Sequence, residues 1–190
     1  MKKLELREHI IKISSDLFYS NGYNATGINE IIAKADIAKA TLYSHFKSKD
    51  ELCIAYLNNM HTRFMNGLDF FIQSQNEAKQ QLLGIFDFLR ELYFKPDFNG
   101  CWAIKCIGEI GSANNAIREE IQNQKLNLIS YLKGIIALNI PTNSNAETEK
   151  LANMIYLLYE SAISESYLHK NDWPIYSARS IAKQLIPIPL

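Results

Sequence analysis

The stretch Tyr23–Leu52, YNATGINEIIAKADIAKATLYSHFKSKDEL, contains the start and stop signals of three consecutive helices. Thr26 is predicted to cap a short helix over residues 28–35, whose apolar face is rich in isoleucine. A second short helix is predicted over residues 38–46, after a tight turn. The residues Ser48–Glu51 then have the spacing of a capping box, which predicts the start of a third helix. Two short helices joined by a tight turn indicate a helix-turn-helix, whose second helix enters the major groove of DNA.

Helical periodicity also dominates outside this stretch. Apolar residues repeat every three or four positions in a first helix that ends at Asn21-Gly22. Further helices are predicted over residues 49–74, 77–94, 101–111, 114–138 and 144–169, and from Trp173 to a point before Pro187. No segment shows the alternation of a strand. We therefore predict an all-α fold of about nine helices, with a three-helix helix-turn-helix head over residues 1–47 and a helical body over residues 48–190.

The composition is that of a globular chain with a balanced charge. Of 190 residues, 47% are apolar, and 20 basic residues face 20 acidic ones. The balance is uneven, because residues 1–50 contain eight Lys and Arg residues against six Asp and Glu residues. Residues 34–49 contain four lysines and one aspartate. The chain is therefore no polycation, and this modest basic patch fits DNA binding without establishing it.

The cysteines and the apolar runs predict a soluble cytoplasmic protein without membrane contact. The chain has an odd number of cysteines, Cys53, Cys101 and Cys106, and no CxxC motif. Both observations argue against a disulfide framework. The N-terminus lacks the apolar run of a signal peptide, and no stretch approaches the length of a membrane span. The four histidines show no ligand spacing, so we expect neither a metal nor a cofactor. No nucleophile–base pair or phosphate loop supports an enzyme.

The chemistry of the second short helix indicates which residues would touch DNA. Leu42 and Phe46, four residues apart, are expected to hold this helix to the head, which leaves a polar face outward. Lysine, hydroxyl and imidazole groups suit base edges or phosphates, and free backbone N–H groups at helix starts suit anions. The candidate DNA-contacting residues are Thr26, Gly27, Lys39, Ala40, Thr41, Tyr43, Ser44, His45 and Lys49.

Residues 10–52 resemble the DNA-binding head of the TetR family of bacterial transcriptional regulators. The matching positions are Phe18, Gly22, Tyr23, Ala25, Thr26, Ile28, Ile31, Ala33, Ala35, Ile37, Lys39, Thr41, Leu42, Tyr43, His45, Phe46, Lys49 and Leu52. The resemblance implies a dimeric, all-helical regulator with a variable ligand-binding body. By position, it implies DNA contact by Thr26, Lys39, Thr41, Tyr43, His45 and Lys49.

Two departures from the family pattern lie in the turn. Asp36 stands where the family usually has glycine, and aspartate tolerates the left-handed conformation better than most residues. Ala38 and Ala40 flank Lys39, where the family often has serine and glycine. Because alanine is a poor N-cap, we expect the second short helix to lose about 1 kcal/mol of local stability.

The body resembles the family less strongly and is rich in aromatic side chains. Most of these are expected to pack in the core, but some would line a mainly apolar cavity for a small hydrophobic or aromatic effector. The candidate pocket residues are Phe64, Phe86, Tyr93, Trp102, Glu109, Tyr131 and Tyr159. The last two helices are predicted to form a four-helix dimer interface with a second copy, through Ile155, Leu158, Ala162, Ile175, Ile181 and Leu185.

The sequence therefore predicts a homodimeric, ligand-responsive repressor that binds a palindromic operator in double-stranded DNA. Activation in place of repression stays open, because the DNA contacts would be the same. Two alternatives also stay open. Cys101, at a predicted helix N-terminus, would suit a sensor of oxidants or electrophiles, and the chain could instead be a helical protein-interaction module.

Overall fold

The computed structural model describes residues 3–111, 114–141 and 144–186, and these residues form helices and no strand. The nine helices of the described residues are α1 (Lys3–Asn21), α2 (Ile28–Ala35), α3 (Lys39–His45), α4 (Lys49–Gln73), α5 (Ala78–Tyr93), α6 (Trp102–Glu109), α7 (Asn115–Asn139), α8 (Asn145–His169) and α9 (Trp173–Leu185). The all-α prediction is confirmed, with bounds that differ from the predicted ones by one or two residues. Pro187, the predicted stop after α9, lies outside the described residues.

The turns of the N-terminal helices follow the sequence signals closely. Gly22 ends α1 in a left-handed conformation with a φ of +95°, which glycine adopts at little cost. Asp36 ends α2 and is also left-handed, with a φ of +52°. The expectation that aspartate replaces the usual glycine of this turn is therefore confirmed.

The helix caps differ from prediction at two of three places. Gly27, rather than Thr26, is the N-cap of α2, and no side chain caps this end. At α4, Ser48 Oγ accepts a hydrogen bond from the Glu51 N–H at 3.1 Å, but the Glu51 carboxylate accepts from the Lys47 N–H at 2.7 Å rather than from Ser48. The capping box predicted at residues 144–147 is complete and opens α8.

The chain forms two compact units, and each contains two segments of sequence. Unit 1 comprises Met1–Arg63 and Cys101–Asn123, and unit 2 comprises Phe64–Gly100 and Gln124–Leu190. Helices α4 and α7 each contribute residues to both units. The predicted boundary at residue 47 separates a DNA-binding head from an effector-binding body, whereas these units are defined by packing. The boundary therefore stays a prediction.

In unit 1, α1 holds the ends of both short helices. His9 Nε2 donates to the carbonyl of Ala35, the last residue of α2, at 3.2 Å. The Arg7 guanidinium lies 4.9 Å from the ring centre of Phe46, which follows α3 and is 1% exposed. Burial of a phenylalanine of this kind contributes roughly 1.5–3 kcal/mol, so Phe46 is a main anchor of α3.

In unit 2, α8 packs along α9, and α5 packs against both. Arg179 of α9 donates to both carboxylate oxygens of Asp87 on α5, at 2.7 and 2.9 Å. This bidentate pair fixes the orientation of the two helices as well as adding binding energy. Gly84 permits close packing, because a Cβ there would lie 2.9 Å from a carbon of the Ile72 side chain.

Three residues of the predicted dimer interface belong to the core of unit 2. Ile155, Ala162 and Ile175 are each 1% exposed in the single chain. Because they are already buried, they cannot contribute new buried area to a dimer interface, and we reassign them to the core. Leu158 and Leu185 are partly exposed, and Ile181 is 46% exposed.

None of the helices in the described parts of the chain combines the length and the apolar character that crossing a membrane requires.

Candidate nucleic-acid interface

Helix α3 is held by its apolar side and presents its polar side to solvent. Leu42 and Phe46 are each 1% exposed, as predicted. On the other side, Lys39, Ala40, Tyr43 and Ser44 are exposed, and we call these four residues the α3 surface. The α3 surface therefore contains an ammonium group, a phenol and a hydroxyl on one short helix, which is the donor set that DNA recognition uses.

The side chains of the α3 surface are little used inside the protein. Within the described residues, Lys39 and Tyr43 make no side-chain hydrogen bond or ion pair. The Ser44 hydroxyl donates to the carbonyl of Thr41, one turn earlier, at 2.7 Å. Thr41 and His45 are partly exposed beside this surface. Donors that have no internal partner can bind an outside acceptor without losing an existing bond.

The two predicted contacts at the start of α2 differ from each other. Thr26 is 0% exposed, and its hydroxyl donates to the carbonyls of Gly22 at 2.8 Å and Leu17 at 3.2 Å. Its side chain therefore ties the α1–α2 turn together and faces no solvent. Gly27 is exposed, and among the described residues a Cβ there would contact nothing within 4 Å beyond its chain neighbours. Any contact with DNA at this place would use backbone N–H groups rather than the Thr26 hydroxyl.

Lys49 is the first residue of α4, and its side chain packs on the Tyr23 ring. Its Nζ lies 4.3 Å from the ring centre of Tyr23, a cation–π contact that orients the ammonium group. The residue is partly exposed, so this contact does not bury its charge. Lys49 thus stands at a helix N-terminus with its charge available, as an anion site requires.

A second polar cluster of unit 1 has the opposite character, because its members bind one another. We call Tyr23, Asn24, Asp50, Glu109 and Asn114 the junction cluster. The Asp50 carboxylate accepts from the Tyr23 hydroxyl, and it accepts from Asn114 Nδ2 at 2.9 Å. Burial, together with the hydrogen bond to Asp50, raises the pKa of Tyr23 well above its usual range.

Glu109, at the end of α6, holds the other half of the junction cluster. Its carboxylate accepts from the backbone N–H of Asn24 at 2.6 Å, and its carbonyl accepts from Asn24 Nδ2 at 2.8 Å. A Cβ at Gly22 would meet the Glu109 carboxylate. Nearby, Lys105 Nζ donates to the carbonyl of Tyr19 at 3.0 Å, and burial lowers the pKa of Lys105. Helix α6 therefore contacts the end of α1 and the turn that leads into α2.

The residues predicted for the effector pocket are divided between the two units. Trp102 and Glu109 are in unit 1, where Glu109 binds Asn24. The other five are in unit 2: Phe64, Phe86, Tyr93, Tyr131 and Tyr159. Phe64 lies 6.0 Å from Tyr159 and 5.8 Å from Phe88, between ring centres. Phe64 therefore contacts the rings of both Tyr159 and Phe88.

The remaining predicted pocket residues of unit 2 have distinct surroundings. Phe86 is 0% exposed and belongs to the core. The Tyr131 hydroxyl donates a hydrogen bond to Asp69 at 3.0 Å. Burial, and to a smaller extent this hydrogen bond, raises the pKa of Tyr131. The Tyr93 ring contacts the Phe98 ring with centres 5.3 Å apart.

Sequence reasoning missed two features of unit 1. One is a groove of about 670 Å³ between α1 and α4, whose lining includes Arg7, Lys12 and Arg63. The other is the approach of Cys53 and Cys106, whose sulfur atoms lie 3.5 Å apart. Both features join residues far apart in the chain, which helical periodicity cannot pair. The basic residues of the first helix were visible in the sequence, but their partners were not.

The comparisons with known proteins agree with this geometry. The family profile described as "Bacterial regulatory proteins, tetR family" matches residues 10–56. The biofilm operon negative transcriptional regulator IcaR of Staphylococcus epidermidis is 27% identical over 158 residues, which are 82% of this chain and 81% of IcaR. The transcriptional repressor NemR of Escherichia coli is 20% identical over 190 residues, or 97% of this chain and 96% of NemR.

Solved structures show the same fold. The reduced form of Escherichia coli NemR superposes with a TM-score of 0.87 at 19% identity, over 97% of this chain and 98% of NemR. A TetR-family regulator of Streptomyces coelicolor gives a TM-score of 0.85 at 19% identity, over 96% of this chain and 88% of that one. Together with the exposed donors of α3, these likenesses define a helix-turn-helix DNA-binding regulator. Residues 10–56 match the TetR family of bacterial regulatory proteins, and the whole chain has the fold of TetR-family regulators.

Proposed function

We propose that this protein is a transcriptional repressor, not an enzyme, which binds a palindromic operator as a homodimer and releases it when a small effector binds. The α3 surface carries the DNA-binding part of the proposal, because it holds Lys39 and Tyr43 exposed on a helix that Leu42 and Phe46 fix in place. IcaR is described as a negative regulator and NemR as a repressor, which favours repression over activation. The working compartment would be the cytoplasm, where bacterial DNA lies.

Each DNA contact is assigned by the exposure of the group. Lys39 and Thr41 would reach base edges, with the Ala40 methyl group against the groove. Tyr43, Ser44, His45 and Lys49 would donate to phosphate oxygens, which fix the position of the protein on the duplex. Gly27 and the buried Thr26 would act through backbone N–H groups at the start of α2.

The proposed dimer uses an exposed apolar stripe on the last two helices. Leu157 and Leu168 of α8 are 64% and 69% exposed. They are three helical turns apart and differ by roughly 20° around the helix, so they lie on one face. Trp173 and Ile181 of α9 are 51% and 46% exposed. A four-helix contact between two copies would cover these residues and would supply the two α3 helices that a palindrome requires.

The effector is proposed to be hydrophobic or aromatic and to bind in unit 2. Phe64, Phe88 and Tyr159 form an aromatic cluster there, and Tyr131 with Asp69 supplies polar groups. An effector that binds the DNA-free conformation more tightly than the DNA-bound one would lower DNA affinity. The factor equals the ratio of the effector's affinities for the two conformations. Helix α4 contains residues of both units and is the proposed route of this coupling.

The test is DNA binding by the purified full-length protein, measured by fluorescence anisotropy on the DNA that flanks its own gene. Lys39→Ala is expected to weaken specific binding by about tenfold, since a good base contact contributes about 1–3 kcal/mol. Lys49→Ala is expected to weaken binding and to reduce the slope of log affinity against log salt by about one unit. Lys150→Ala is the matched control, because it removes the same charge from an exposed position of α8 in unit 2.

Two results would contradict the proposal. One is equal DNA affinity for the Lys39, Lys49 and Lys150 variants, which would show that α3 and the start of α4 do not bind DNA. The other is the absence of any salt-dependent binding by the unmodified protein, the result expected of a protein-interaction module. The interface is tested separately by the sedimentation coefficient of Leu157→Asp. The dimer would bury this position, so a charge there is expected to yield monomers.

A further inference from the structure

Two of the three cysteines lie side by side inside unit 1. Sγ of Cys53 on α4 is 3.5 Å from Sγ of Cys106 on α6, although 53 positions separate them in the sequence. Their side chains are 0% and 3% exposed. A disulfide has a sulfur–sulfur distance of about 2.05 Å, so an approach of about 1.5 Å would form the bond.

The two thiols differ in acidity. The hydrogen bond from Cys53 lowers the pKa of Cys106, against the opposing effects of burial and of the Glu109 and Asp50 carboxylates. The same hydrogen bond, together with burial, raises the pKa of Cys53. Because the thiolate is the form that attacks an oxidant, Cys106 would react first and Cys53 would resolve the product.

Each cysteine of the pair has a carboxylate of the junction cluster nearby on its own helix. Asp50 precedes Cys53 by three residues on α4, and Glu109 follows Cys106 by three residues on α6, so each carboxylate is about one turn from a thiol. Asp50 binds Tyr23, and Glu109 binds Asn24. A covalent bond that draws α4 and α6 together would therefore displace the groups that position the turn before α2.

We propose that Cys53 and Cys106 are a reversible thiol–disulfide pair, oxidised by hydroperoxides, and that the disulfide weakens DNA binding. The effect on DNA rests on the proposed function, whereas the formation of the disulfide does not. A disulfide in a reducing compartment is transient, which suits sensing rather than structure. Cys101, the N-cap of α6, has no part in the pair and is the natural control.

The reaction balances with hydrogen peroxide as the oxidant. The Cys106 thiolate attacks one oxygen, the O–O bond breaks, and the departing hydroxide takes up a proton as water. Cys106 is then a sulfenic acid. The sulfur of Cys53 attacks this sulfur, the S–O bond breaks, and a second water forms from the hydroxyl and the Cys53 proton. The two thiols lose two electrons, and the peroxide gains them.

The first measurement is the state of the thiols in the full-length protein. After treatment with hydrogen peroxide, denaturation and alkylation with iodoacetamide, we expect one alkylated cysteine, Cys101, in place of the three thiols that form no disulfide in this structure. Peptide mapping should link Cys53 to Cys106, and dithiothreitol should restore three alkylated thiols. Three alkylated thiols after oxidation, or a bond that includes Cys101, would overturn the proposal.

The second measurement is DNA affinity of the same samples by fluorescence anisotropy. We expect oxidation to lower affinity by about tenfold, within the usual range of coupling between sites, and dithiothreitol to restore it. Cys101→Ser should respond like the unmodified protein, whereas Cys53→Ala and Cys106→Ala should not respond. A disulfide that leaves affinity unchanged, or a Cys53→Ala protein that still responds, would overturn the proposed regulation.

The two proposals fail in different ways. If the reduced protein binds no DNA, the proposed function fails, and thiol mapping still decides whether the disulfide forms. If the reduced protein binds DNA and no disulfide appears, only the redox proposal fails. Because mapping uses the unmodified protein, it does not depend on the folding of any variant.

Discussion

The α3 surface and the junction cluster are both polar regions of unit 1, but they use their polar groups in opposite ways. Lys39 and Tyr43 of the α3 surface are exposed and make no internal side-chain bond within the described residues. Asp50 and Glu109 of the junction cluster bind Tyr23 and Asn24 in the α1–α2 turn, and Asp50 also binds Asn114, directly before α7. The donors of the first region are open to an outside partner, whereas the second region ties the α1–α2 turn to α4 and α6. Substitutions should therefore separate the two: one region controls affinity, the other stability.

The largest effect is expected at Gly22, where the junction cluster meets the backbone. Gly22→Ala places a side chain at a φ of +95° and into the Glu109 carboxylate. The left-handed conformation alone costs about 1–2 kcal/mol for a non-glycine residue, and displacement of Glu109 adds to this. Chemical denaturation should show the loss in the free energy of unfolding.

Gly134→Ala is the matched control for this substitution. Gly134 is exposed in α7, and among the described residues a Cβ there would contact nothing within 4 Å outside its own helix backbone. Alanine there should stabilise the helix by about 0.5–1 kcal/mol. Equal effects of the two substitutions would show that the contact between Glu109 and the turn is not important for stability.

The next effect is expected at Asp50. Asp50→Ala leaves the Tyr23 hydroxyl and Asn114 Nδ2 without their acceptor. Loss of the acceptor from these half-buried donors is expected to cost about 1 kcal/mol, the low end for an unsatisfied group, so the midpoint of thermal unfolding should fall. DNA affinity should fall as well, although no group that touches DNA is removed. Unchanged stability would contradict the role assigned to the junction cluster.

A smaller effect of opposite sign is expected at Asp36, in the turn between α2 and α3. Asp36→Gly relieves the left-handed strain at a φ of +52° and should stabilise the protein by up to about 1 kcal/mol. Asp36→Ala keeps the left-handed backbone, which alanine tolerates less well than aspartate does, so this substitution should destabilise the protein. The comparison of the two unfolding curves measures the cost of this departure from the family pattern.

The smallest effect on stability is expected on the α3 surface itself. Tyr43 is 43% exposed, so Tyr43→Ala should change the free energy of unfolding by no more than about 0.5 kcal/mol. The same protein should bind its DNA more weakly, with an unchanged slope of log affinity against log salt, because tyrosine carries no charge. A large loss of stability with unchanged DNA affinity would reverse the distinction between the two regions.

The sequence was sufficient for the features that local chemistry determines. Gly22 and Asp36 marked left-handed turns, Ser144 and Glu147 marked a capping box, and all three features are present. The placement of Leu42 beneath α3 also followed from helical spacing. Such features depend on residues within one or two turns, which periodicity and capping patterns describe well.

The features that were missed depend on distant residues. Asn24 and Glu109 are 85 positions apart, so no local pattern relates them. Thr26 has the sequence character of a cap, but the carbonyls of Leu17 and Gly22 compete for its hydroxyl and bind it. Ile155 and Leu157 are equally apolar, and only the packing of α5 and α9 decides which one is buried.

The division of unit 1 into two sequence segments has a consequence for the engineering of chimeric regulators. A recognition module excised at Arg63 would contain Tyr23, Asn24 and Asp50 but would leave Glu109 and Asn114 behind. In the transplanted fragment, Asn24 and Asp50 would have lost their partners Glu109 and Asn114. The fragment is therefore expected to be less stable than its length suggests. To move the DNA specificity of this protein onto another sensor, residues 101–123 should travel with the N-terminus.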